Sequence, residues 1–86
     1  MSKWIQIWYS WGDEESPVEV PENQDAYEYM LKLVMNEVNI TLHEYPRYGC
    51  GAWLSPEEGK AEIYYGYDNE KCYYLITDEE EYNPES

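Results

Sequence analysis

Hydrophobic and polar positions alternate in five short runs of this chain and recur at helical spacing in one longer run. The clearest alternation spans Ala61 to Thr77. Its halves, Ala61-Glu62-Ile63-Tyr64-Tyr65-Gly66-Tyr67 and Lys71-Cys72-Tyr73-Tyr74-Leu75-Ile76-Thr77, are rich in aromatic and β-branched residues. Such residues fit a pleated, half-buried surface. Asp68-Asn69-Glu70 between them supplies residues that tolerate turn geometry, which predicts a β-hairpin. Pairing Tyr67 with Cys72 sets Tyr65 opposite Tyr74 and Ile63 opposite Ile76. Because side chains alternate along a strand, Ala61, Ile63, Tyr65, Tyr67, Cys72, Tyr74 and Ile76 share one face, the expected core. Glu62, Tyr64, Tyr73 and Leu75 share the other.

The remaining elements follow in order. Lys3 to Trp11 reads as a strand, with Ile5, Ile7 and Tyr9 on one side and Trp4, Gln6 and Trp8 on the other. Residues 12–22 read as an acidic, solvated linker, with Pro17 and Pro21 blocking a helix. Asn23 to about Asn39 reads as a helix capped by Asn23, with Asp25 suited to the positive end of its dipole. Tyr27, Met30, Leu31, Val34 and Val38 form its apolar stripe, and Glu28 and Lys32 can pair on its outer face. Val38 to Tyr45 and Cys50 to Leu54 read as further strands, separated by a turn at Pro46-Arg47-Tyr48-Gly49. Ser55 to Lys60 turns the chain into the hairpin. The expected fold is α+β: one small domain over residues 1–86, order β-α-β-β-β-β, mostly antiparallel sheet with the helix packed on one face. The other face is left solvated or held for a partner. Residues 78–86 form an acidic tail.

Composition sharpens this picture. Eighty-six residues make a thin core. The aromatic residues are 11 Tyr and 4 Trp with no Phe, more than such a core can hold, so several are expected at the surface. Tyr and Trp carry a polar handle and are favoured at interfaces. Nineteen acids against five bases leave a net charge of −14. A magnitude of about 2–8 keeps a small domain soluble, so solubility alone does not require this much. Such a field repels nucleic acid and anionic membranes and attracts basic surfaces.

Catalytic chemistry is sparse. His43 is the only histidine, expected in a strand with no serine or cysteine near it by local spacing. Nucleophilic catalysis needs nucleophile, base and orienter to converge, so no catalytic residue is assigned. No zinc spacing, phosphate loop or calcium loop is present, and no metal or cofactor is expected. Cys50 and Cys72 fall two strands apart, about 9–10 Å by strand spacing, too far for a disulfide, so both are expected reduced. No signal-peptide pattern or bilayer-length apolar run is seen, which makes the cytoplasm the expected compartment.

What remains is aromatics interleaved with carboxylates, the inverse of a nucleic-acid-binding surface. Same-face strand neighbours are about 6.6–6.8 Å apart, and duplex DNA carries a charge about every 1.7 Å of axis with both strands counted. A row of carboxylates therefore presents to a basic groove much what a phosphate backbone presents. The expected partner-binding residues are Asp13, Glu14, Glu15, Glu62, Tyr64, Asp68, Glu70, Tyr73, Asp78, Glu79, Glu80, Glu81 and Tyr82. The expected function is a non-enzymatic acidic inhibitor that blocks the basic nucleic-acid-binding surface of a target enzyme. Phage anti-CRISPR and anti-restriction DNA mimics follow this logic. The expected partner is a basic nucleic-acid-handling protein, with no direct contact to nucleic acid or membrane. The alternatives are an immunity protein that neutralises a nuclease toxin, and an adaptor that uses an exposed Tyr/Trp sheet face.

Overall fold

In the computed structural model, which describes residues 2–82, five strands form one antiparallel sheet with a single helix across one face. The strands are β1 (Trp4–Tyr9), β2 (Val18–Glu19), β3 (Cys50–Ser55), β4 (Lys60–Tyr65) and β5 (Lys71–Thr77). The helix α1 (Ala26–Glu44) enters between β2 and β3, and the sheet order is β2-β1-β5-β4-β3. The expected class, strand number and helix-on-sheet layering are all present.

The face expected to be core is core. Ala61, Ile63, Tyr65, Cys72 and Tyr74 are buried together with Ile5 of β1 and Met30, Val34 and Val38 of α1. The register of the hairpin differs, however. Ile63 pairs with Cys72 and Ala61 with Tyr74, a slip of four positions along β5 from the expected pairing. The cause is a longer connection: the Tyr65 N–H donates to the Glu70 carbonyl at 2.9 Å, so Gly66 to Glu70 all lie in the loop. Asp68 and Asn69 both sit at φ 55°, the left-handed region those residues tolerate. An even slip leaves every side chain on its expected face.

The helix is longer than expected and absorbs the strand expected at Val38 to Tyr45. Met30, Val34, Val38 and Thr41 continue one buried stripe into its last turn. That burial overrides the β-branched, alternating look of Val38-Asn39-Ile40-Thr41-Leu42. Asp25, not Asn23, is the N-cap: its carboxylate accepts from the Glu28 N–H at 3.0 Å. His43 therefore sits exposed in the last turn of α1 and not in a strand.

The fifth strand comes from the segment expected to be a solvated linker. Residues 12–19 run back along β1. Trp8 bridges Glu14, the Glu15 N–H donates to the Ile7 carbonyl at 3.0 Å, and Val18 pairs with Ile5. Backbone bonding along β1 fixes this acidic segment against the sheet edge. Of the expected tail, residues 78–82 are described, and 83–86 lie outside the described residues.

Candidate acidic interface

The polar side of β1 and the far end of β5 together bring two distant acidic segments to one place. Trp4, Gln6 and Trp8 point to the sheet face opposite the helix. Gln6 lies beside Leu75, and β5 ends at Thr77, so the chain after β5 passes over Gln6. The Gln6 amide donates to the backbone carbonyl of Glu80 at 2.7 Å and reaches that of Glu79 at 3.4 Å. The Thr77 hydroxyl also donates to the Glu79 carbonyl, at 2.8 Å. These bonds hold the tail in place while its carboxylates stay exposed.

Between this tail and the acidic segment along β1 lies an open cleft of about 930 Å³. Asp13, Glu14 and Glu15 line one side and Glu79, Glu80 and Glu81 the other, with Trp8, Tyr9 and Tyr82 between them. No lysine or arginine lines it. Six carboxylates sharing one concave surface raise the local negative potential well above that of six scattered ones. The base nearest in sequence to β1, Lys3, is already paired with Asp78, the one acid of the tail cluster that lies outside the cleft.

A second groove, of about 500 Å³, opens on the helix side of the same acidic segment. Asp13, Glu14 and Glu15 are shared with the cleft, and Glu37 and Glu44 of α1 add two more carboxylates. Its wall is a run of rings. Tyr9 stacks on Trp11 at 4.6 Å, Trp11 meets Tyr65 at 6.1 Å, Tyr65 stacks on Tyr67 at 5.4 Å, and Tyr45 meets Tyr67 at 5.2 Å. The rings hold the acids in place. The Tyr9 hydroxyl donates to Glu15 at 3.0 Å, the Trp11 indole N–H to Asp13 at 2.7 Å, and the Tyr65 hydroxyl to Glu37 at 3.4 Å. Burial pushes the Glu37 carboxyl above the usual range, the Tyr65 hydroxyl opposes this, and Glu44 and Glu15 add to the rise. Burial, with Glu15 as acceptor, likewise pushes the Tyr9 hydroxyl up. Glu37, Glu44, Trp11 and Tyr45 were missed at the level of sequence: Glu37 fell on the expected helix, Trp11 at the end of the expected first strand, and Glu44 and Tyr45 in the residues 38–45 that read as a strand, so nothing in the spacing placed the four together.

The other expected partner-binding residues lie elsewhere. Glu62 and Tyr73 face each other across β4 and β5 on the open sheet face, where Tyr73 stacks on Trp8 at 5.6 Å. Tyr82 joins Trp8, Glu62 and Tyr73 around a shallow groove there. Tyr64 is exposed, with the Lys71 ammonium 5.5 Å from its ring centre. Asp68 is exposed at the hairpin tip, and Glu70 accepts from the Ser10 hydroxyl beside it. The carboxylates are thus gathered around the segment beside β1, and not strung along one strand of the hairpin.

Rings are at the surface as expected. Of the fifteen Tyr and Trp, only Tyr65 and Tyr74 are buried, while Trp11, Tyr45, Tyr48, Trp53, Tyr64 and Tyr82 are exposed. Among the described residues no three acid, histidine or cysteine side chains converge to hold a metal ion, and no helix is long and apolar enough to cross a membrane. No known protein family, no curated protein and no solved structure matches the chain.

Proposed function

We propose that this chain is an inhibitor protein that seats its acidic cleft in the basic, nucleic-acid-binding surface of a target enzyme. The observation that carries this reading is the convergence of Asp13, Glu14 and Glu15 with Glu79, Glu80 and Glu81 around one cleft without a lysine or arginine. Carboxylates so placed accept charge-assisted hydrogen bonds from arginine and lysine, as phosphates do. Trp8, Tyr9 and Tyr82 add large, stiff contact area between them. The ring-walled groove beside the cleft extends the same chemistry, because a cation over an aromatic face is attracted by the ring quadrupole. A phage protein acting against CRISPR or restriction effectors and an immunity protein acting against a nuclease toxin would use this surface alike; they differ in the target.

The experiment is competition. Labelled DNA and RNA are bound to a panel of basic nucleases and effectors, and the chain is added. Displacement that weakens as salt rises supports the reading, since both ligands compete for the same cations. No displacement from any member at low salt counts against it.

Exposed Trp53 and Tyr64 on the open sheet face favour a second reading, an adaptor that binds through this face. Tyr64→Ala and Tyr73→Ala would then abolish partner capture, and neutralising residues 79–81 would leave it intact.

A further inference from the structure

We infer that β3 is a self-pairing edge, at which two copies of this chain join their sheets into one. β3 is the last strand of the sheet, and its one neighbour is β4. Among the described residues no backbone hydrogen bond is made on its outer side. Exposed strand edges are ordinarily guarded by charge, proline, a bulge or short length. β3 has none of these. It is six residues long, its register with β4 is unbroken from Cys50 to Ser55, and Cys-Gly-Ala-Trp-Leu-Ser holds no proline or charge. In a chain that is 28% charged, an uncharged stretch this exposed stands apart: Gly51, Ala52, Trp53 and Leu54 are all open to solvent. The opposite edge is guarded, since β2 is two residues long and carries Glu19.

The occupant is a second copy because the strand complements itself. A two-fold axis perpendicular to the sheet keeps each side chain on its own face, so only like-facing residues meet across it. Centred on Ala52, this symmetry sets Cys50 against Leu54 of the second copy on the helix side. On the open side it sets Gly51 against Trp53 of the second copy. A ring lying over an edge glycine covers the backbone that glycine leaves bare. Arg47 and Glu57 sit in the turns just before and just after this strand, so the same two-fold brings the turn that holds Arg47 beside the turn that holds Glu57 of the second copy, twice per pair. The one arginine of the chain is thereby set near an acid of the second copy, between two otherwise acidic surfaces. The acidic cleft lies along β1 and the segment before β2, toward the far edge of the sheet from β3, and stays open in both copies. Self-pairing is read without any target, so it stands or falls separately from the proposed function.

Sedimentation equilibrium of the full chain tests this. Each copy carries a net charge of −14, so the two repel at long range, and salt screens that repulsion. The dimer is expected to tighten from about 50 mM to about 500 mM salt, the opposite of a complex between this chain and a basic partner. Ala52→Glu sets two carboxylates face to face on the axis and should weaken the dimer more than about tenfold, with the monomer fold checked by circular dichroism. Arg47→Glu should weaken it several-fold, and Arg47→Glu with Glu57→Arg should restore it; both sites are on the surface. A chain that stays monomeric at high concentration in high salt overturns the inference. So does a dimer that neither Ala52→Glu nor Arg47→Glu weakens.

Discussion

The side-chain amide of Gln6, on β1, donates a 2.7 Å hydrogen bond to the backbone carbonyl of Glu80, in the tail after β5. The two residues are 74 positions apart. This bond and its weaker companion to Glu79 set one acidic segment beside another already fixed along β1. The cleft depends on a neutral side chain that carries no charge of its own.

Gln6→Met keeps the shape of the side chain and removes the donor. The net charge is unchanged. Loss of about 1 kcal/mol of hydrogen bonding should free the tail and weaken target binding about fivefold. Hydrogen exchange in residues 78–82 should rise while the buried strands stay protected. Unchanged exchange in the tail would show that Gln6 does not hold it.

Glu37 sets a pH dependence. Its carboxyl is raised above the ordinary 4.5 mainly by burial, so between 4.5 and its raised value the folded chain binds more protons than the unfolded one. Stability attributable to this group therefore falls as pH rises through that window. Glu37→Gln removes the cost and still offers an oxygen to the Tyr65 hydroxyl. The variant should unfold at higher urea than the parent at pH 7, and the difference should vanish below about pH 4. A difference of equal size at both pH values would contradict this origin.

Gly66 is fixed by close approach and not by a turn angle. A Cβ built there would lie 1.7 Å from the Tyr48 carbonyl oxygen and 2.6 Å from its carbon. The Gly66 N–H also donates to the Gly49 carbonyl at 3.1 Å, which ties the hairpin tip to the start of β3. Gly66→Ala should cost about 1–3 kcal/mol, lowering Tm by about 4–8 °C per kcal/mol in a domain this small. Because Tyr48 meets Tyr67 edge-on at 5.9 Å, the near-ultraviolet dichroism of the tyrosines should change with it.

The two thiols should stay reduced and slow. Cys50 on β3 and Cys72 on β5 are both free, with β4 between them. Burial pushes Cys72 up to about 11, and Cys50 is raised as well, so little thiolate forms at pH 8. A disulfide reagent should titrate two thiols in denaturant and react with neither rapidly in the native protein. Rapid native labelling of Cys72 would contradict its burial.

The sheet was largely legible because Ile63, Cys72 and Tyr74 sit in alternation that only one face can bury. The hairpin register was not, because Tyr67 looks like a strand residue and is held in the loop by Tyr45, Tyr48 and Tyr65. The end of the helix was masked by local composition. Val38 and Thr41 belong both to an alternating, β-branched run and to the stripe begun by Met30 and Val34, and burial against the sheet decides for the stripe. For the candidate site, the sequence showed which residues are acidic and which are aromatic. It did not show that residues 13–15 and 79–81 meet, because their meeting depends on β1 pairing with β5 and on Gln6. Asp68 and Glu70 look equivalent to those acids in sequence, yet the topology leaves them at the hairpin tip.

Placement of charge, separated from amount of charge, is tested by two triple variants of equal net charge. One replaces Glu79, Glu80 and Glu81 by glutamine. The other replaces Glu22, Glu28 and Glu58, which lie outside the cleft. Each is titrated against a basic target holding labelled DNA, and displacement is measured across salt. The first should lose at least about tenfold in displacement and show a shallower salt dependence, while the second stays near the parent. Equal losses in the two variants, or displacement indifferent to salt, would contradict an acidic cleft seated in a nucleic-acid-binding surface.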